Sequence, residues 1–463
     1  MTAHFLPPIA AQQKPAAAKA EFPDVALDAL AQVPGRKGLP WLGILPEAVL
    51  DPLRFARRMY ERYGPVHRFH ACGSWNVQLV GPEANEFVLL DEAGNFSAQG
   101  GWRPVFGKHF DGGLLLRDGA DHRWHRKLIA AAFKQDQLEA YIRMFVPNLE
   151  AAAADWSGSF RNLHETAQRL TFANGYQAFL GRSPAEATRN DLLAFRYLMQ
   201  SSISVVGFPF PGNSEWRARW AKRHVEKLIR GLMREDIAAE RSDLLAVLVR
   251  MRDANLLSDD EIISHLNFVV AASFDTLSSG TTSILYYLAR NPQWQRAARE
   301  ELLANMPTLD SIGMAPLQRS EISEWCFKEA LRLNAAAPVL WRRSVRPFRF
   351  GGHDFPAGTI TGVNPMLTHL MPEVWRDPAA FDPSRFAPEE TRRRHRFAFV
   401  PFGGGAHSCL GLNYASLQVR AMLRVILERH ELVLESEGEP HWYHWPNCRP
   451  RRAVRLMLKP IGS

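Results

Sequence analysis

The alternation of apolar and polar residues predicts that the middle of the chain, from about residue 120 to 300, is mostly helical. The clearest helix starts with the capping box of residues 258–261, in which Ser258 and Glu261 bond the first free backbone N–H groups. Apolar residues then recur from 262 to 285, and Asn291-Pro292 ends the pattern. A helix of about 30 residues is roughly 50 Å long, so we expect it to cross the domain through its centre.

Shorter elements are predicted on either side of this helical region. The pattern indicates an amphipathic helix over 52–64, strands over 66–69 and 76–80, and short strands with Pro and Gly turns after about residue 340. No fixed-period repeat or long linker interrupts residues 33–463. They are therefore predicted to form one domain, mainly α with a smaller β-rich region. Residues 1–32, rich in Ala, Pro and Gln, are predicted to be a flexible tail.

Composition and charge exclude several classes of protein. With 46% hydrophobic and 22% charged residues, the composition is that of a globular protein. The net charge is +8, but the basic residues are scattered and many Asp and Glu residues lie among them, so no nucleic-acid partner is expected. Four cysteines without a CxxC pair argue against a zinc knuckle or a disulfide-rich secreted protein. Near the N-terminus no apolar run approaches the roughly 20 residues that span a bilayer. We expect a soluble, cytoplasmic protein without a transmembrane anchor.

The glycine-rich stretch from 402 to 411 carries the strongest chemical signal. It places Cys409 just before the apolar periodic stretch 412–427, at the start of a predicted helix, where backbone N–H groups and the helix dipole favour a thiolate. The alternatives are a glycine turn with a structural cysteine, or a phosphate cradle. No Lys-Ser/Thr follows the glycines and the spacing is not G-x-G-x-x-G, which disfavours the phosphate cradle.

This stretch resembles the haem-binding signature F-x-x-G-x-[RH]-x-C-x-G of the cytochrome P450 family, with matches at Phe402, Gly405, His407, Cys409 and Gly411. The resemblance implies a soluble, bacterial-type haem-thiolate monooxygenase. It further implies that Cys409 ligates the iron of haem b, between a long central helix and the cysteine loop. A thiolate ligand pushes electron density toward iron and favours O–O cleavage.

Other landmarks of the family follow in the expected order. Glu329 and Arg332 resemble its E-x-x-R pair, and Arg385 in the F-D-P-S-R-F hexapeptide resembles the arginine that completes a structural charge cluster.

The resemblance also implies ligands for the haem propionates. His122 and Arg126 lie four residues apart on one helix face and resemble an H-x-x-x-R pair that reaches these groups; Arg342 and His407 are the further candidates. Ala335 and Ala336 stand where the family often has proline.

The segment 272–276 of the central helix resembles the family's oxygen-activation element. Ala272 would border the haem, Thr276 would hold dioxygen and a water, and Asp275 would help to deliver protons. Ser273 replaces the usual glycine, and is expected either to narrow the oxygen groove or to add a hydroxyl. The alternative is that Asp275 and Thr276 form a local kink without a catalytic role.

Candidate substrate contacts are apolar or aromatic, as a lipophilic ligand requires. The resemblance implies that they are Trp102 and Phe106 in a predicted loop before the His122 helix, Phe208 and Phe210 in a predicted turn over 205–210 at the pocket mouth, Phe274, and Val339. The expected substrate is a terpenoid, steroid, retinoid or fatty acid, to be hydroxylated or epoxidised.

Electrons are expected to arrive from outside the chain, because the 54 residues after Cys409 are too few for a flavin or ferredoxin domain. The expected donor is a ferredoxin or flavodoxin with a reductase that draws on NAD(P)H. The basic run 392–396 is either its docking site or a solvated turn. Two alternatives to a dioxygen-dependent monooxygenase remain: a peroxygenase driven by hydrogen peroxide, and a non-catalytic haem-thiolate ligand sensor.

Overall fold

The architecture was analysed in a computed structural model that describes residues 14–16, 21–26, 28–204, 208–235, 237–238 and 240–462. The helices are, in chain order, α1 (Leu45–Leu50), α2 (Pro52–Tyr63), α3 (Pro82–Leu90), α4 (Ala98–Phe110), α5 (Gly119–Ala130), α6 (Gln135–Trp156), α7 (Leu163–Leu180), α8 (Arg189–Ser202), α9 (Ser214–Leu232), α10 (Leu244–Asp253), α11 (Asp259–Arg290), α12 (Pro292–Asn305), α13 (Met314–Arg319), α14 (Glu321–Leu333), α15 (Pro365–Thr368), α16 (Pro388–Arg393) and α17 (Leu412–Arg429).

The strands lie mainly at the two ends of the chain. They are β1 (Gly35–Arg36), β2 (Val66–Ala71), β3 (Ser74–Leu79), β4 (Phe96–Ser97), β5 (Arg161–Asn162), β6 (Leu340–Ser344), β7 (Phe348–Phe350), β8 (His353–Phe355), β9 (Ile360–Val363), β10 (His430–Leu434), β11 (Trp442–His444), β12 (Cys448–Pro450) and β13 (Arg455–Pro460). The largest sheet has the order β1-β2-β3-β9-β6-β4, and three smaller ones pair β10-β13-β5, β11-β12 and β7-β8. The prediction of a mainly helical fold with a smaller β-rich region is confirmed.

The long central helix forms as the sequence predicts. α11 runs from Asp259 to Arg290, the Ser258 hydroxyl accepts from the Glu261 N–H, and Asn291 is its C-cap. Most of its residues are buried, because α7, α8 and α14 pack along it. The predicted strands over 66–69 and 76–80 correspond to β2 and β3, which pair in antiparallel register.

One predicted loop is wrong. Residues 100–106 belong to helix α4, although three glycines and Pro104 lie within this helix. Gly101 explains why: a Cβ at this position would lie 2.5 Å from the backbone of Arg342 in β6. The missing side chains let α4 pack directly on the sheet, and this tertiary packing outweighs the weak helix propensity of glycine.

Part of the segment predicted to be a tail contacts the sheet region. Leu30 is fully buried in a core cluster with Val33, and the Arg343 guanidinium lies 4.8 Å from the ring centre of Phe22. Within the described residues, no helix is both long and apolar enough to span a bilayer.

Candidate active site

The cysteine loop is a tight turn that leads into α17. The Cys409 N–H donates to the Phe402 carbonyl at 2.8 Å, and Phe402 is half-buried against the main core. Gly405 has φ +63°, and a Cβ there would lie 2.0 Å from the Leu89 carbonyl of α3. The loop therefore needs glycine at 405 for conformation as well as for space.

Cys409 is an exposed residue, although many protein atoms surround its thiol group. This burial raises the pKa of Cys409, while the backbone N–H of Gly411 and the positive charge of Arg126 act to lower it. Both of these groups favour the thiolate, which is the form that binds a metal ion. Gly411 is also the N-cap of α17.

Four basic side chains from three elements gather next to this loop. The imidazole rings of His122 in α5 and His407 in the loop stack with centroids 3.9 Å apart, and Arg126 Nη2 donates to Ser408 Oγ at 3.3 Å. Arg342 of β6 is buried. Burial, with the charges of His407 and Arg126, lowers the pKa of His122 to about 3, so this imidazole is neutral at physiological pH.

Asp118 is a member of this site that the sequence analysis missed. Its carboxylate accepts from the Ala98 N–H at 3.0 Å and lies 3.6 Å from His407 Nε2, so it joins the start of α4 to the cysteine loop. In the sequence it precedes the helix of His122 at an N-cap position, where Asp usually has no further role.

The donor set fits a haem with its propionates. Arg126 and Arg342 form no ion pair with a carboxylate of the described residues, and burial lowers the pKa of Arg342 to about 10. A buried cation without a counter-ion costs several kcal/mol, and two propionate carboxylates would supply counter-charges for the buried Arg342 and the half-buried Arg126. Cys409 is exposed, and its thiolate would be able to bind the haem iron.

The central helix has one face that is less covered than the rest. Phe268, Val269, Ala272 and Thr276 are half-buried, and this spacing places them on one side of α11. Thr276 Oγ1 donates to the Ala272 carbonyl at 2.8 Å.

Asp275 lies beside this face, and the Asn447 side-chain amide donates to its carboxylate. Burial raises the pKa of Asp275. Ser273 Oγ donates to the Val270 carbonyl at 3.0 Å and faces Gly175 of α7.

An aromatic row joins α4 to the half-buried face of α11. Successive ring centroids are 5.5 Å apart for Trp102 and Phe106, 5.9 Å for Phe106 and Phe110, and 6.2 Å for Phe110 and Phe268. Phe268 was missed in the sequence, because an aromatic residue in a buried helix is more often part of the core. Val339, half-buried, directly precedes β6, whose first residue Leu340 lies next to Gly403.

Three other predicted pocket residues do not belong to this aromatic row. Phe274 is 1% exposed, and its ring centroid lies 5.6 Å from that of Phe172 in α7; it belongs to the core, about 200° around the helix from Ala272. Phe208 and Phe210 are 67% and 48% exposed, and among the described residues each forms an aromatic pair only with the other. The rest of their predicted turn, residues 205–207, lies outside the described residues.

The predicted charge cluster comes together in the interior. Glu329 accepts two hydrogen bonds of 2.7 Å from Arg332 and one of 3.3 Å from Arg385. Arg332 also donates to the backbone carbonyls of His369, Pro378 and Ala380. Glu329 and Arg332 are fully buried, so their charges are matched inside the protein.

His369 connects this cluster to the cysteine loop and was also missed. Its carbonyl accepts from Arg332, while its Nε2 accepts from the Val400 N–H at 3.0 Å, two residues before Phe402. Burial, with the charges of Arg332 and Arg394, lowers the pKa of His369 to about 3 and keeps the ring a neutral acceptor.

The residues of the basic run 392–396 lie in different environments. Arg394 lies 4.1 Å from the ring centre of Trp375 and donates to the Arg385 carbonyl, so it is part of the fold. Arg396 pairs with Glu86 at 2.5 Å, and Arg392 and Arg393 are exposed.

Comparisons with known proteins agree with this geometry. The family description "Cytochrome P450" matches residues 33–449. The chain is 30% identical to a putative cytochrome P450 136 of Mycobacterium tuberculosis, over 93% of this chain and 89% of that one. It is 28% identical to an abscisic acid 8'-hydroxylase of Oryza sativa, over 87% and 82%.

A solved structure has the same fold. Retinoic-acid-bound cyanobacterial CYP120A1 superposes with a TM-score of 0.85 at 23% identity, over 93% of this chain and 99% of that one. Together with the family match, these findings identify the chain as a member of the cytochrome P450 family and as a cytochrome P450 monooxygenase.

Proposed function

We propose that this monooxygenase hydroxylates or epoxidises a hydrophobic small molecule of terpenoid, steroid, retinoid or fatty-acid type. The observation that carries the proposal is the aromatic row from Trp102 to Phe268, which provides an apolar wall next to the half-buried face of α11. Two similar proteins are named for abscisic acid and retinoic acid, which are both apolar carboxylic acids of isoprenoid type. Residues 33–463 act as a single domain in this proposal.

The proposal assigns a role to each of the site residues. Cys409 would bind the iron of haem b, and His122, Arg126, Arg342 and His407 would hold its propionates. Ala272 of α11, with Phe402 and Gly411 of the cysteine loop, would contribute to the haem-binding site. Haem iron with a thiolate ligand supplies dioxygen activation.

Asp275 and Thr276 handle protons in this proposal. The raised pKa of the Asp275 carboxyl, caused by burial, moves it toward the range in which a group can both take up and release a proton near neutral pH. Thr276 presents its hydroxyl oxygen on the half-buried face, where it can accept a hydrogen bond while its own proton is bound to the Ala272 carbonyl. Glu329, Arg332 and Arg385 have a structural role.

Electrons come, in this proposal, from a ferredoxin or flavodoxin with an NAD(P)H-dependent reductase. Arg392 and Arg393 are exposed and suit an acidic donor, whereas Arg394 is committed to the fold. The four free cysteines fit a cytoplasmic location.

The first experiment is a carbon monoxide difference spectrum of the dithionite-reduced protein, with Cys409→Ala in parallel. A strongly red-shifted Soret band in the wild type that is lost in the variant supports thiolate ligation. An ordinary imidazole-type band in a folded, haem-loaded wild type contradicts it.

A second measurement separates the possible activities. Dioxygen consumption with reductant and a bound probe such as retinoic acid supports the monooxygenase. Turnover with hydrogen peroxide alone indicates a peroxygenase, and ligand binding without either reaction indicates a sensor.

A further inference from the structure

A polar cavity lies beside Asp275, in addition to the half-buried face that carries Thr276. Its volume is about 320 Å³, enough for roughly ten water molecules. Gln168 of α7, Arg196 of α8, and Asn447 and Arg449 of the hairpin β11–β12 line it together with Asp275. Exposed residues form part of the wall, so the cavity is connected to the surface.

Asn447 is the group that contacts the carboxyl directly. Its side-chain amide donates to Asp275 Oδ2, while the Gln168 amide lies in the same cavity and acts to lower the pKa of the carboxyl. The charges of Arg196 and Arg449 act at longer range, and no ion pair joins Asp275 to a described cation. The carboxyl is therefore oriented by a neutral amide, in a cavity whose charged lining includes the carboxylate of Glu165 as well as Arg196 and Arg449, with His164 beside them.

The hairpin holds Asn447 in a fixed position. Ser279 Oγ of α11 donates to the Cys448 carbonyl at 2.5 Å, one helical turn beyond Asp275. Arg449 Nη1 donates to the Trp445 carbonyl across the turn at 3.0 Å, and Tyr443 Oη donates to the Val49 carbonyl at 2.7 Å. With both strands tied to other parts of the fold, the amide loses little freedom when it bonds the carboxylate.

We propose that Asn447 is a positioning residue for Asp275, and that the cavity beside it is the route by which protons from solvent reach this carboxyl. A cavity water donates a proton to the Asp275 carboxylate, and the carboxyl then releases one proton toward the Thr276 side of α11. The carboxyl is unchanged after each cycle, and solvent supplies the proton. This inference rests on the proposed function.

A neutral donor suits this task better than a cation. An arginine or lysine in contact with the carboxylate would hold it ionised and slow its protonation, whereas an amide fixes its direction and leaves both protonation states accessible. The basic residues Arg196 and Arg449 line the cavity without an ion pair to the carboxylate.

The first test measures the Asp275 carboxyl itself, independently of turnover. Isotope-edited infrared titration of the haem-loaded resting enzyme, with Asp275→Asn to identify the band, gives its apparent pKa. We expect Asn447→Leu to raise this pKa by about one unit, because a hydrogen bond to the charged form is lost. In Asn447→Gln the pKa of Asp275 should lie between those of Asn447→Leu and the wild type. Asn76→Leu, a matched change in the β2–β3 hairpin, should leave the pKa of Asp275 unchanged. An unchanged midpoint in Asn447→Leu overturns the positioning role.

The second test measures proton delivery. We expect reductant-dependent dioxygen consumption to fall about tenfold in Asn447→Leu, with a solvent isotope effect in D2O about twice that of wild type. A carbon monoxide spectrum identical to wild type shows that the variant is folded and haem-loaded.

The outcomes separate the two proposals. If Asp275→Asn alters dioxygen consumption and Asn447→Leu does not, the role of Asn447 is refuted and the proposed function stands. If wild-type enzyme consumes no dioxygen with reductant, the proposed function fails and the proton route fails with it. The infrared shift still reports whether Asn447 acts on Asp275.

Discussion

The two sides of the candidate active site are built differently. On the cysteine side, Glu329, Arg332 and His369 form a continuous set of buried hydrogen bonds that reaches the segment before Cys409. On the other side, a row of aromatic rings with centroids 5.5 to 6.2 Å apart runs along α4 and reaches α11 through the pair Phe110 and Phe268. Directional polar contacts hold one position, whereas aromatic packing tolerates small shifts. The first side suits a fixed cofactor, and the second suits a ligand of variable shape.

The largest expected effect on stability comes from a substitution in the buried charge cluster on the cysteine side. Glu329→Gln removes the charge that balances Arg332 and Arg385, and leaves buried cations uncompensated. We expect a loss of about 3–5 kcal/mol of unfolding free energy. Chemical denaturation of the haem-loaded enzyme measures this.

An exposed pair provides the control for Glu329. Glu390→Gln disrupts the contact with Arg393 at the surface, where ion pairs contribute little, so its stability should match wild type. Equal stability of the two variants would show that the buried cluster is not what holds the cysteine side.

A similar loss is expected from Phe274→Ala on the α7 side of the central helix. This side chain is fully buried against Phe172, so truncation leaves a cavity and costs about 3–4 kcal/mol. The affinity for a lipophilic probe should stay within about twofold of wild type. A large loss of ligand affinity without loss of stability would show that Phe274 contacts the ligand and is not mainly a core residue.

Acid should weaken the cysteine side through His369. Its pKa is about 3 in the fold and near 6.5 in an unfolded chain, so below pH 6.5 the unfolded state binds a proton that the folded state does not. The stability that neutral His369 contributes is therefore fully present above pH 6.5 and is lost as the pH falls toward 3.

His369→Gln keeps an acceptor for the Val400 N–H and removes this titration. Denaturation at pH 7.5 and pH 5.0 should show wild type losing about 2 kcal/mol more than the variant. Parallel losses in the two proteins would mean that His369 is protonated in the fold.

The smallest effect is expected on the aromatic side. Trp102→Ala removes one end of the row and should weaken the binding of a lipophilic probe about tenfold, or about 1.4 kcal/mol, with little change in stability. Spectral titration measures the affinity. Trp216→Ala, a change at an exposed ring on α9, is the control and should bind as wild type does.

This contrast also explains what could be predicted from the sequence. The capping box at Ser258 and the signature around Cys409 are local patterns, since each residue acts on neighbours a few positions away. Such patterns are sufficient to locate the central helix and the cysteine loop. The charge cluster was grouped by resemblance, and the structure brings its three members together.

Other features depend on contacts between distant segments. Helix α4 forms because Gly101 meets β6, Asp118 joins the site through α4 and the cysteine loop, and Asn447 reaches Asp275 across 172 positions. No local pattern records such pairings. Phe274 was misplaced because periodicity shows that a residue is apolar but not which of two buried faces it occupies.

The contacts of Arg332 have a consequence for engineering the enzyme. Arg332 holds the segment 369–380 through the carbonyl oxygens of His369, Pro378 and Ala380, and these oxygens are the same whatever side chain each residue carries. The exposed side chains at 372, 373, 376, 377 and 379, between His369 and Ala380, take no part in these hydrogen bonds. Apart from Asp377, whose φ of +43° suits few side chains, these residues can be substituted while the backbone beneath them keeps its path.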